Sequence, residues 1–165
     1  MIVEICNRLP VKRSKLRVDT DLLKTLAIHS LELAGAAVKY HLSIVLVTDK
    51  QIAVLNARYH QVQGPTDILS FDYGNDEGEL VISLEHVQTQ AKRFRTTPGR
   101  ELTLYLVHGI LHLHGYDDRT LRSRRRMRAA ERRLMRLMAR KLPLQDVVLK
   151  QIANLSRKRN KRLIA

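Results

Sequence analysis

The stretch from Thr97 to Asp118 constrains this chain most, because it reads as an apolar helix with both ends marked and histidines at helical spacing. Thr97 is placed to cap it, Pro98 suits the first helical position, and Gly115 stands just past the last apolar residue. Glu101 to Leu113 is a long apolar run, so the helix is expected in the core. Residues four apart on a helix lie about 40° apart round its axis, so His108 and His112 point the same way and can grip one ion. Gly115 accepts the left-handed conformation that turns the chain back, and Asp118 can then return toward the two imidazoles.

Two histidines and a carboxylate leave a zinc ion one open position for water or substrate, whereas a closed structural site takes four ligands. The competing reading makes His108 and His112 ordinary core histidines. The caps, the glycine and the acidic residue together favour the ion. His114 falls on another helix face and is expected to be exposed. The spacing is similar to that of metzincin proteases, but those carry a general-base glutamate directly after the first histidine. Here that position is Gly109, which disfavours peptide hydrolysis.

A chain of 165 residues is of single-domain length and long enough to bury a core without staples. Its lone cysteine, Cys6, excludes an internal disulfide framework and fits a reducing cytoplasm. No apolar run approaches a membrane span, and Glu4 interrupts the short apolar start, so neither a membrane partner nor a signal peptide is expected. Charge is uneven: residues 1–118 carry 13 Lys and Arg against 14 Asp and Glu, while residues 119–165 carry 17 against 2. Such a block suits a polyphosphate chain, and with aromatics at only 4% nucleic-acid contact would rely on charge more than on stacking. A solvated helix face followed by a charged tail is the alternative.

The remaining elements follow from periodicity and punctuation. Met1 to Ile5 reads as a strand, followed by a basic loop to Val18; Asp19 to Ala37 reads as a helix with Leu22, Leu23, Leu26, Leu31 and Leu33 turned inward. Leu42 to Val47 is a strand, and Thr48 with Gln51 forms a capping box for a helix to about Tyr59. Strands are expected at Ile68 to Phe71 and Glu79 to Ser83, with Ser83 capping a helix to about Phe94. Leu121, Met127, Ala130, Leu134, Leu137 and Met138 then give one helix a core stripe, while Arg125, Arg128, Arg132 and Arg136 occupy another face as candidate nucleic-acid contacts. This order implies an α+β fold: a small mixed β-sheet packed with about five helices, the metal-binding helix in the core. Residues 1–143 form the expected domain, and 144–165 a basic C-terminal extension.

His108-Gly109-Ile110-Leu111-His112-Leu113-His114-Gly115-Tyr116-Asp117-Asp118 resembles the signature of the YbeY family of bacterial metal-dependent endoribonucleases at every position but the last. There the family has a third histidine and this chain has Asp118. A second resemblance covers Leu55-Asn56-Ala57-Arg58-Tyr59-His60 and Pro65-Thr66-Asp67-Ile68-Leu69-Ser70-Phe71. His60 stands where the family has an arginine that meets the substrate phosphate. It reads three ways: as a phosphate donor when protonated, as a general acid or base, or as a surface residue in an enzyme that has lost activity. Arg58 would point from a different helix face.

The resemblance implies a zinc-dependent, single-strand-specific endoribonuclease of ribosomal RNA maturation and ribosome quality control in the cytoplasm. It further implies one Zn²⁺ per chain on His108, His112 and Asp118, with His60 at the phosphate. Implied partners are single-stranded and ribosomal RNA and the ribosome or its proteins. The alternative is a non-catalytic RNA- or ribosome-binding factor with a metal site.

Overall fold

The structure, a computed structural model, describes residues 1–9 and 16–150. Three strands run parallel, β1 (Ile2–Asn7), β3 (His41–Val47) and β5 (Glu77–Ser83), and β4 (Ile68–Gly74) pairs antiparallel with β5. Their order is β1-β3-β5-β4. Side chains alternate faces along a strand, and both faces are covered. Leu42, Ile44, Leu46, Leu80 and Ile82 enter the main core. Val45, Val47, Val81 and Leu69 form a smaller cluster with Ile52 of helix α2 (Asp49–His60). This is the expected α+β architecture, a mixed sheet with five helices.

The helices stop where local chemistry predicts, with one correction. Helix α1 (Thr20–Ala34) is capped by Asp19 but ends before Ala37, because Gly35 adopts φ +85° and leaves the helical path. Its Leu23, Leu26 and Leu31 are buried; Leu22 and Leu33 are only partly so. Thr48 and Gln51 make the expected capping box of α2. Helix α3 (Leu84–Arg93) is capped by Ser83, and α4 (Pro98–Leu113) by Thr97 with Pro98 in its first turn.

Helix α4 is the centre of the domain. Leu102, Leu106, Val107, Ile110 and Leu111 are buried, and α1, α3, α5 (Leu121–Ala139) and the sheet all pack on it. It crosses the sheet at Gly109, where a Cβ would stand 2.6 Å from Ile68 Cδ1 and 2.6 Å from Leu80 Cδ2. Such a separation lies inside the 3.5–4.0 Å of normal carbon contact, so any larger residue would push the ends of the Ile68 and Leu80 side chains aside. Gly109 is therefore a packing residue at this crossing.

Two expectations about the chain ends change. Leu16–Val18 of the expected loop forms a short strand, β2, antiparallel to β6 (Val148–Lys150). The chain also continues into the core beyond residue 143. Leu144 and Val147, in a 3-10 turn over Leu144–Val147, are buried. A Cβ on Gly99 would meet the backbone carbonyl oxygens of Gln145 and Leu144, so this turn lies directly on the start of α4. The expected extension at 144–165 is thus divided: 144–150 packs onto the domain, and 151–165 lies outside the described residues. Leu121, expected in the core stripe of α5, is 65% exposed. It stands one turn before Arg125 and so shares the arginine face. Met135 is buried on this helix in addition to Met127, Leu134 and Met138.

Candidate metal centre

The last two turns of α4 bring His108 and His112 side by side, with their Nε2 atoms 3.0 Å apart. Gly115 (φ +80°) then turns the chain, helped by its own N–H to the His112 carbonyl and by the Tyr116 N–H to the Leu111 carbonyl. The loop that follows is held by Asp117. Its Oδ1 accepts from the Asp118 N–H at 2.8 Å and from Arg119 Nε at 3.0 Å. Asp118 is thereby presented to the histidines, with Oδ1 4.0 Å from His112 Nε2. One ligand atom from each of His108, His112 and Asp118 lies within 4.8 Å of the other two.

Both imidazoles are fixed from behind. His108 Nδ1 lies 2.6 Å from Glu131 Oε1 of α5, and His112 Nδ1 lies 3.0 Å from the Tyr116 carbonyl. A ring whose Nδ1 is bound to an oxygen acceptor carries its proton there and turns a lone pair at Nε2 toward the shared point. Burial alone would push the His108 imidazole down; the Glu131 carboxylate outweighs it and, with Asp67 and Asp118, holds the ring above the usual histidine range. The donor set fits a divalent ion: two oriented nitrogens and a carboxylate oxygen.

The pair opens onto a cleft of about 640 Å³ lined by His60, Asn56, Asp67, Ser70 and Asp72 as well as by His108 and His112. His60 is the last residue of α2 and is exposed, so the structure brings it into the same cleft as the two histidines. Arg58 lies over the ring of Tyr59, 5.5 Å from its centroid. Asn56 Nδ2 donates to the Gly64 carbonyl at 3.0 Å and ties the following loop to α2. Asp67 Oδ1 accepts from Thr66 Oγ1 and the Ile68 N–H.

Arg125, Arg128, Arg132 and Arg136 are all exposed on α5. The last three line a groove between α4 and α5; Arg125 is not among its lining residues. His114, expected to be exposed, is half-buried, because its Nδ1 meets the Ile110 carbonyl at 2.8 Å and its ring packs 5.3 Å from that of Tyr40. Sequence reasoning missed Glu131 and Asp67. The one clue to Glu131 is that it is the sole acid on an arginine-rich helix, and Asp67 sits inside the Pro65-to-Phe71 stretch without an assigned role.

Fold and site together define an α+β protein whose central helix, with the loop that follows it, carries a two-histidine, one-carboxylate cluster of the kind that holds a metal ion. The model of the family described as Endoribonuclease YbeY matches residues 9–139, and the chain belongs to the YbeY family. It is 35% identical over 133 residues to the Endoribonuclease YbeY of Heliobacterium modesticaldum, covering 70% of this chain and 80% of that protein. The relative of the same name from Symbiobacterium thermophilum is 37% identical over 124 residues (66% and 80%). The one from Chlorobium luteolum is 45% identical over 80 residues, 47% of this chain and 58% of that one. The solution structure of TM1509 from Thermotoga maritima shares the fold, with TM-score 0.57 at 22% identity over 88% of this chain and 96% of that one.

Proposed function

We propose that this chain is a zinc-dependent endoribonuclease that cuts single-stranded RNA, acting in the cytoplasm on ribosomal RNA during its maturation and in ribosome quality control. The observation that carries the reading is the convergence of His108 and His112 Nε2 on one point, with both Nδ1 atoms already engaged, at the floor of a polar cleft. His108, His112 and Asp118 hold the ion, and Asp67 and Asp72 in the cleft wall add negative charge that favours a cation. Bound there, Zn²⁺ supplies Lewis acidity and lowers the pKa of water. Glu131 keeps the His108 ring in its ligand orientation. His60, which lines the same cleft, meets the scissile phosphate as a donor. Arg125, Arg128, Arg132 and Arg136 bind phosphates along α5, and the basic residues of 151–165 add affinity without sequence preference. The ribosome or its proteins are the partners that such a substrate implies.

The relatives' printed name, Endoribonuclease YbeY, supports this reading, and no helix among the described residues is long and apolar enough to cross a membrane. The second reading, a non-catalytic RNA-binding factor, draws on the arginine face of α5. The test is cleavage of an end-labelled single-stranded RNA and of its duplex by zinc-supplied wild type and His108→Ala. Cleavage of the single strand by wild type alone is expected. Zinc and RNA bound without cleavage would select the second reading.

A further inference from the structure

The groove between α4 and α5 is large, basic along one wall and apolar on its floor. It encloses about 880 Å³, within the range of small-ligand sites, and the floor includes Leu104, Met135 and Ala139. Along α4 the positions Arg100, Leu104 and His108 follow at intervals of four, each step about 6 Å along the axis. On α5 the facing row is Glu131, Met135 and Ala139, running the opposite way from the His108 contact. The groove therefore leads directly away from the candidate metal centre. Phe94, 64% exposed at the end of α3, stands at its side with the Arg93 guanidinium over its ring, 5.4 Å from the centroid, which leaves the other face for a base. Phe94 also lines a smaller pocket of about 340 Å³ that His108 and Asp67 line too, and those two line the metal cleft as well. The three cavities thus share walls from His60 to Arg140.

The charge of the groove selects its occupant. Arg100, Arg128, Arg132, Arg136 and Arg140 line it against only two carboxylates. Glu131 is engaged by His108, and burial, with Asp67 nearby, pushes the Glu101 carboxyl up toward its neutral form. Guanidinium groups bind phosphate through paired donors and stack on planar rings. An apolar floor beside an exposed aromatic and a row of guanidiniums suits a flat heterocycle joined to phosphates. Only an unpaired base can leave its own stack to use it.

We propose that this groove is a subsite for an unpaired base of single-stranded RNA, stacked on Phe94, with the adjoining phosphates on Arg128, Arg132 and Arg136. It rests on the reading above that the substrate is RNA, and it explains single-strand preference by a base pocket beside the metal centre. An acidic peptide is the competing occupant, but the apolar floor of Leu104, Met135 and Ala139 is short, and the groove continues toward the candidate metal cleft with its two aspartates.

The test is fluorescence anisotropy of a short labelled oligouridylate with the full chain in chelator, so that binding is read without cleavage. The variants are Phe94→Ala, Phe94→Tyr and the pair Arg132→Ala with Arg136→Ala. Phe94→Ala is expected to weaken binding about tenfold, within the range of one base–aromatic stack, and Phe94→Tyr to restore it. An abasic oligonucleotide should bind Phe94→Ala and wild type alike. The arginine pair should flatten the salt dependence, and Phe94→Ala should leave it unchanged. Equal oligouridylate affinity for wild type and Phe94→Ala overturns the subsite. So does an equal loss for the abasic strand, or release of a polyglutamate peptide in place of RNA. A wild type that cleaves RNA while Phe94→Ala binds normally overturns the subsite alone; a wild type that binds through Phe94 but never cleaves overturns the endonuclease reading alone.

Discussion

His108 Nδ1 stands 2.6 Å from Glu131 Oε1, across the seam between α4 and α5. This contact links the candidate metal centre to the arginine-rich helix, because the acid that orients one ligand belongs to the helix that also carries Arg128, Arg132 and Arg136. Outer contacts of this kind fix the tautomer and basicity of a ligating histidine and are worth about 10–100-fold in metal affinity. Glu131→Gln is therefore expected to weaken zinc binding by about that factor while the protein stays folded. Competition for zinc against a chelator, read beside a circular dichroism spectrum, checks it; an unchanged affinity would make the contact merely structural.

His60 separates two chemistries at the cleft wall. As a cation on the phosphate it is replaceable by arginine, so His60→Arg is expected to retain RNA cleavage, and His60→Ala to lose about 10–100-fold, the value of one charge-assisted hydrogen bond. If proton transfer were its role, arginine would be as damaging as alanine. Single-turnover cleavage rates of the three proteins decide, and equal rates would remove His60 from the site.

Gly109 sets how close α4 comes to the sheet. Gly109→Ala places a methyl group against Ile68 and Leu80, and overpacking of this kind costs about 1–3 kcal/mol. In a chain of this size each kcal/mol lowers the melting temperature by about 2–4 °C. Thermal unfolding reads the effect; an unchanged melting temperature would mean that the helix can shift freely.

Glu101 gives the fold a pH dependence of known sign. Burial, then the charge of Asp67, raises its carboxyl above the ordinary value of 4.5, against the opposing effects of Tyr105 and His86. A raised folded value means that the unfolded chain releases this proton first. The group's contribution is then fully present below pH 4.5 and is lost as pH rises through the folded value. Glu101→Gln stays neutral throughout, so it should match wild type in acid and exceed it in stability at neutral pH. Urea unfolding across pH checks this, and a constant difference between the two proteins would refute it.

Helix α4 was legible because its evidence is local: a cap at Thr97, proline at the first turn, an apolar run and a glycine stop all lie within one segment. Strands β2 and β6 were not, since three residues cannot display an alternation and their pairing joins opposite ends of the chain. Leu121 misled because an apolar residue in the first turn of α5 was assigned to the core stripe, whereas its spacing to Arg125 puts it on the solvent face. Glu131 and His108 are 23 residues apart on different helices, and only tertiary packing makes them partners. The groove beside Phe94 escaped for the same reason, being built from three helices at once.

The central claim is that His108, His112 and Asp118 hold a zinc ion on which RNA cleavage depends. Zinc content of the purified chain, measured on the same preparation as cleavage of a single-stranded RNA, tests it for wild type, His112→Ala and Asp118→His. The account predicts one zinc per chain and cleavage in wild type, neither in His112→Ala, and metal retained at least as tightly in Asp118→His. Cleavage that persists at wild-type rate in a metal-free His112→Ala protein would contradict it.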